Sequence, residues 1–155
     1  MFSGALYPGK VGIMKLRTGL AAVLSLWPLT ALAAFAGPVE IDVRNVPDNT
    51  GMVRVALCSE DEFLKPTCKF HGEVQSSTPT VAITLDNVPE GVYAVQAYQD
   101  RNGNAKLDKS FFGIPQEPIG FSRNPVLRFG PPTFEQCAVK LTQGGGKLDV
   151  TLITR

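Results

Sequence analysis

From Val39 to Leu152 apolar residues recur at every second position in short runs, and a period of two places alternate side chains on opposite faces of a half-buried strand. Val39, Ile41 and Val43 alternate with Glu40, Asp42 and Arg44. Val53, Val55 and Leu57 form a second set, Val81, Ile83 and Leu85 a third, and Leu148, Val150 and Leu152 a last one. Residues 93–99, 125–129 and 134–141 read as further strands, so about seven short strands are expected, their apolar faces making the core. The segments 45–51 and 88–91 supply turns through proline, which fixes φ, and glycine, which frees it. Only 59–64 hints at helix, where Ser59 precedes Glu60, Asp61 and Glu62 in what reads as a single first turn. Strands without a long helical period predict an all-β fold, an antiparallel β-sandwich of immunoglobulin-like or transthyretin-like shape, with a small barrel as the alternative.

The strand pattern starts only after a different kind of segment. Lys10, Lys15 and Arg17 precede an apolar run over 20–36 that lacks acidic residues and ends in Ala34-Phe35-Ala36 before Gly37. A basic start, an apolar middle and small residues at the cut are the pattern of a secretory signal peptide. The expectation is a signal over 1–36, cut after Ala36 or alternatively after Ala33, with Met14 as an alternative initiator. Pro28 inside the run argues against an uncleaved spanning helix. No cysteine lies near the cut, so a lipid anchor has no support. The mature chain of 37–155 is expected to be a single exported domain, periplasmic or secreted, with no membrane span. Removing 1–36 leaves 12 basic against 14 acidic residues, a net charge of −2. Such a chain lacks the clustered basic stripe that nucleic-acid binding requires.

Export places the three cysteines in an oxidising compartment, where disulfides are weighed before metal ligation. Cys58 and Cys68 flank a short polar segment, and their bridge would staple a loop just after a strand. Cys137 lies in Gln136-Cys137-Ala138-Val139 and reads as a small buried apolar side chain.

Against the regular strand spacing stands one long interval, 100–124, which is too long for a turn. Structureless connections above about 12–15 residues are uncommon in compact domains and are functional or disordered. It opens with oxygen-bearing side chains at relative positions 1, 3, 5 and 9, namely Asp100, Asn102, Asn104 and Asp108. Hard cations such as calcium take six to eight oxygen ligands, and this spacing follows the start of the EF-hand template. Asp100, Asn102, Asn104, Asp108 and the carbonyl of Lys106 fill its first five ligand places. Ala105 stands where the template turns sharply on glycine, and Phe111 stands where it has a carboxylate. Glu117 is the candidate to fold back and supply that carboxylate. With few carboxylates, a structural calcium site of this kind is expected to bind weakly, at about 10⁻⁴ to 10⁻³ M.

The competing reading is a plain hairpin turn at Asn102-Gly103 with no ion, capped by Asp100. The remainder of the interval carries Phe111, Phe112 and Phe121. These are expected in the core; exposed, they would make a surface over 111–122 for a glycan, a peptide or another envelope component. No catalytic residues are expected. The sole histidine, His71, stands apart from any nucleophile motif. A carboxylate-based hydrolase would require Asp108 and Glu117 to face each other across a cleft. The expectation is therefore a non-catalytic binding or structural module.

Three ordered motifs carry a family resemblance. They are Tyr93-Ala94-Val95 leading to Asp100-x-Asn102-Gly103-Asn104-x-x-Leu107-Asp108, then Gly113-Ile114-Pro115-x-Glu117-x-x-Gly120-Phe121-Ser122, and Phe129-Gly130-Pro131-Pro132-x-Phe134-Glu135. Together they resemble the exported bacterial family called domain of unknown function 2141 (DUF2141), over nearly the whole mature chain. The family more usually has glycine at Ala105 and alanine at Cys137. The resemblance implies that the loop over 100–122 is the family's distinguishing surface; it implies no activity.

Overall fold

The computed structural model describes residues 36–128 and 130–154. The signal expected over 1–36, with both cleavage positions but for Ala36 itself, and Met14 lie outside the described residues, as does Phe129. The described residues contain eight strands, β1 (Ala36–Arg44), β2 (Met52–Cys58), β3 (Phe70–Gln75), β4 (Thr80–Pro89), β5 (Gly91–Asp100), β6 (Ile119–Phe121), β7 (Val139–Leu141) and β8 (Gly146–Thr151). They form two sheets, one ordered β4-β1-β8 and the other β3-β2-β5-β6, with β7 also pairing β5. All named pairings are antiparallel except β1 with β8, which is parallel in the register Val39↔Gly146 through Arg44↔Thr151. The all-β sandwich expected from the alternation is the fold observed.

The core follows from the period. Val39, Ile41 and Val43 of β1 and Val53 and Leu57 of β2 are fully buried, while their neighbours in the strands, apart from the disulfide-bonded Cys58, are exposed or half-buried. They pack with Val81, Ile83 and Leu85 of β4 and Val150 of β8 into one cluster between the sheets. Burying side chains of this size contributes about 1.5–3 kcal/mol each, which is why the alternation specifies the register. A second, smaller cluster lies at the β5–β6 side, where Phe63, Ala94, Ile119, Phe121 and Cys137 are buried together. There the Phe63 ring meets Phe121 and Phe134 edge-on, with centroids 6.1 and 5.8 Å apart.

Along one side the two sheets meet, through bridges between Ile119 and Ile153 and between Ser122 and Val150. Gly120 permits this approach, since a Cβ there would lie 2.6 Å from the Val150 side chain.

Two expected strands are replaced by other structure. Residues 134–141 divide into a helical turn, α1 (Phe134–Cys137), and β7. The reason is a capping box, in which the Thr133 amide donates to Gln136 Oε1 at 2.9 Å and fixes a helix start. Residues 125–127 are irregular rather than strand. They follow Asn124, which sits at φ +46° and spends its side-chain oxygen on the Thr151 amide, so the chain leaves the β region just before the expected strand begins. In their place β3 and β6 appear. The turn hinted at over 59–64 is a 3₁₀ turn at Glu60–Glu62, with the Ser59 hydroxyl and amide both donating to Glu62 Oε2.

Cys58 and Cys68 form the expected disulfide, and Cys137 is free and buried. The bridge ties the end of β2 to the segment leading into β3, across a separation of 10 residues. Closing a loop of that length restricts the unfolded chain by about 2.7 kcal/mol on the chain-entropy model. Replacing both cysteines by serine is expected to lower unfolding stability by about 2–3 kcal/mol in urea unfolding, with a steeper denaturant slope as the unfolded chain expands. A loss below about 0.5 kcal/mol would show that the bridge constrains little.

Candidate functional site

Strand β5 ends at Asp100, and the chain does not re-enter a sheet until β6 at Ile119. The loop between them is organised by two buried carboxylates. Asp100 is fully buried. Its Oδ1 accepts from the amides of Gly103 (2.8 Å) and Asn104 (3.1 Å), and its Oδ2 from the amide of Ala105 (2.8 Å) and from Arg54 Nε (2.8 Å). A carboxylate has about four lone-pair sites, and here each has a donor. Burial alone pushes the Asp100 carboxyl up, but the Arg54 guanidinium and the loop amides outweigh it and hold the group below its ordinary value.

Glu117 is the second organiser, 6% exposed. It folds back under the loop, and its Oε1 accepts from the Arg101 amide at 2.8 Å and its Oε2 from the Asp108 amide at 3.1 Å. One side chain thus holds both ends of the segment that Asp100 curls. Pro118 and Asp108 complete the frame, their carbonyls accepting from the amides of Gln99 (3.0 Å) and Gln116 (2.9 Å). Leu107 turns inward against the smaller core cluster.

The remaining sequence candidates converge above this base. Asn102 Nδ2 donates to Asp108 Oδ2 at 2.6 Å, and Asn104 Nδ2 donates to both Asp108 oxygens at 3.1 and 3.3 Å. The amide oxygens of Asn102 and Asn104 face the other way, accepting from the amides of Asn104 (3.1 Å) and Lys106 (2.8 Å). The loop therefore brings Asn102, Asn104 and Asp108 to one point, while Asp100 and Glu117 are occupied by backbone donors. Among the described residues no group of three or more His, Cys, Asp or Glu is placed to hold a metal ion. The expected cap by Asp100 is present, but the turn is not a two-residue Asn-Gly hairpin with positive φ at both residues. Gly103 (φ 73°) and Ala105 (φ 61°) are the left-handed positions.

Sequence reasoning missed the groups that tie this loop to the sheets. Arg54 of β2 pairs with Asp100 on one side and with Glu73 of β3 on the other. Buried Gln99 donates through Nε2 to the carbonyls of Asp48 (3.0 Å) and Thr50 (2.8 Å), fastening the neighbouring β1–β2 connection. Gly51 in that connection packs so closely that a Cβ would lie 2.0 Å from the Asp100 carbonyl oxygen. A lone arginine among the valines of β2 was the available signal, but its partners follow only from the register Arg54↔Glu73 and Arg54↔Tyr98.

Beyond Asp108 the loop makes a smaller turn. The Ser110 amide donates to the Ile114 carbonyl at 2.8 Å, and the Gly113 amide to the Ser110 carbonyl at 2.9 Å. At its tip Phe111 is 97% and Phe112 84% exposed, their rings edge-on with centroids 5.5 Å apart. The expectation that all three phenylalanines are core holds only for Phe121, which is buried. A groove of about 270 Å³ runs beside the tip, lined by Phe112, Ile114, Leu64, Leu107 and Leu127 among others. His71 is exposed at the start of β3, its Nδ1 3.2 Å from the Cys68 carbonyl oxygen. Burial pushes the Cys137 thiol up to about 11, so it stays protonated at neutral pH.

Asp100→Asn exchanges one acceptor oxygen for a donor facing donors and leaves Arg54 without its buried partner. A loss of about 3 kcal/mol is expected. Because the folded-state carboxyl is held below its unfolded value of about 3.9, this contribution is complete above that pH and fades as the pH falls toward the folded value. The Asn variant should therefore lose less stability than wild type between pH 5 and pH 2, each followed by urea unfolding. Ala105→Gly relieves a left-handed alanine and is expected to raise stability by up to about 1 kcal/mol in the same assay. A fall would place Ala105 outside the strained region.

No curated protein and no solved structure matches this chain. Residues 41–149 match the model of a bacterial family described as "Uncharacterized protein conserved in bacteria (DUF2141)". That stretch runs from the middle of β1 into β8 and contains the whole Asp100–Glu117 loop. The chain belongs to this family.

Proposed function

We propose that the protein is an exported, non-catalytic binding module of the cell envelope that presents the 109–115 tip and its adjoining groove to a ligand. One observation carries the reading, namely that Phe111 and Phe112 are 97% and 84% exposed on a loop whose base is fixed by two buried carboxylates. Large apolar side chains held in solvent on a rigid frame mark interaction sites far more often than chance exposure does. The signal-like segment over 1–36 supports export. Against a hydrolase stands Glu117, whose carboxylate is buried on the amides of Arg101 and Asp108 rather than turned toward the Asp108 carboxylate.

Calcium is a secondary ligand in this proposal. The convergence of Asn102, Asn104 and Asp108 supports a site in which Asp108 is the one carboxylate of the loop not committed to backbone amides. The Lys106 carbonyl is a further donor, and the two amides must turn to offer oxygen. Asp100 and Glu117 then serve as the frame and not as ligands. A single charge predicts a dissociation constant of about 1 mM.

In the exporting cell, Phe111→Ser with Phe112→Ser is expected to leave the thermal midpoint nearly unchanged, since both rings lie largely in solvent, and to release the protein from the envelope fraction. Retention equal to wild type would remove the tip from consideration. For the ion, calcium at about 10 mM should stabilise the purified domain by about 1.4 kcal/mol over chelator. The gain should vanish in Asp108→Ala. A midpoint that calcium does not move refutes the calcium site.

A further inference from the structure

The rings at the tip lie largely in solvent. They meet each other edge-on, and Phe112 also borders the groove. A surface that docks on a folded partner presents a broad patch with pockets and anchors already packed at its centre. A pair of freely projecting phenylalanines is suited instead to a fluid apolar medium that closes around it. A glycan would ask for polar side chains beside a ring face. Here the rings meet edge-on, and the neighbouring groove is walled by Leu64, Leu107, Ile114 and Leu127.

The charges around the groove identify the medium. Lys109 lines it, and Lys65, Lys106 and Arg128 are one residue from lining positions, all four exposed. The one acidic residue in the same set of positions is Asp108, which is turned back toward Asn102 and Asn104. Glu60 and Asp61 are exposed on the 3₁₀ turn that precedes Phe63 and Leu64. Lys109 is the one charged residue among those lining the groove, and its charged chain neighbours at these positions are basic apart from Asp108, on a chain whose expected mature charge is −2. Long basic side chains can lie along the groove wall with their ammonium groups at headgroup level.

We infer that the 109–115 tip inserts into the surface of an anionic lipid bilayer, with Phe111 and Phe112 entering the headgroup–acyl boundary and Lys106, Lys109, Lys65 and Arg128 facing lipid phosphates. This rests on the proposal of an envelope-binding module and names the partner of that same surface. Insertion is shallow and reversible, because two rings and a few charges make a peripheral contact and not a span. Rigidity is what the Asp100 and Glu117 frame contributes, since a tip already ordered loses little freedom on entering the interface.

The test is flotation of the purified mature domain with vesicles of phosphatidylglycerol and phosphatidylcholine, and with phosphatidylcholine alone. Binding is expected to the first, to weaken about fivefold for each lysine removed in Lys106→Gln and Lys109→Gln, and to fall at high salt. Phe111→Ser with Phe112→Ser should reduce it by at least about tenfold, with an unchanged thermal midpoint showing that the variant is folded. Equal binding by wild type and the Phe variant overturns the inference. So does a wild type that floats with neither vesicle. If that protein still loses envelope association in cells when the rings are removed, the binding-module reading survives and the partner is a glycan or peptide. If it instead shows concentration-dependent self-association that the Phe variant lacks, the occupant is a second copy.

Discussion

The carboxylate of Asp100 is the point on which the loop and the sheet both depend. It is a charge wholly removed from water, a state that is costly unless every lone pair is met. Three donors come from the loop it begins and the fourth from Arg54 on the neighbouring strand, which itself reaches on to Glu73. Three adjacent strands and the loop are thereby joined in one electrostatic chain. The loop's shape follows from satisfying that charge, and Glu117 repeats the solution at the loop's other end.

This arrangement separates two roles that a list of oxygen-bearing residues merges. Asp100 and Glu117 use their oxygens to hold backbone amides, which sets the curvature. Asn102, Asn104 and Asp108 are held at the surface by that curvature. The apolar residues divide in the same way, with Leu107 and Phe121 drawn under the loop into the smaller core while Phe111 and Phe112 are pushed out past it. Framework and presented surface thus come from a single stretch of chain, and the framework is buried.

The sandwich was legible because β1, β2, β4 and β8 each carry a period of two with valine, isoleucine or leucine inward over most of their length, and β5 was legible as a run of strand-forming residues over 93–99. The disulfide was legible from compartment and spacing. Strand β3 was not, because Phe70-His71-Gly72-Glu73-Val74-Gln75 leaves no residue fully buried and brings only Phe70 and Val74, with Gly72 between them, to its inner face. Strand β6 was hidden by its three-residue length within a long loop. Thr133 and Gln136 did carry a capping signal, but the apolar run after them matched a strand as well. In the loop, the spacing of oxygens was visible and their allocation was not. Whether an aspartate accepts from amides or faces outward depends on where the chain next turns, which the left-handed Gly103 and Ala105 decide.

Strand β1 lies between β4 and β8, and its partner on one side is the last strand of the chain. Parallel pairing of the first strand with the last closes the longest loop the domain contains. During synthesis β1 emerges first and waits for residues 146–151 before its second row of hydrogen bonds exists. Until then it is an apolar strand with an open edge, a species prone to pairing with other chains. The domain therefore completes its fold only after nearly all of it has left the ribosome.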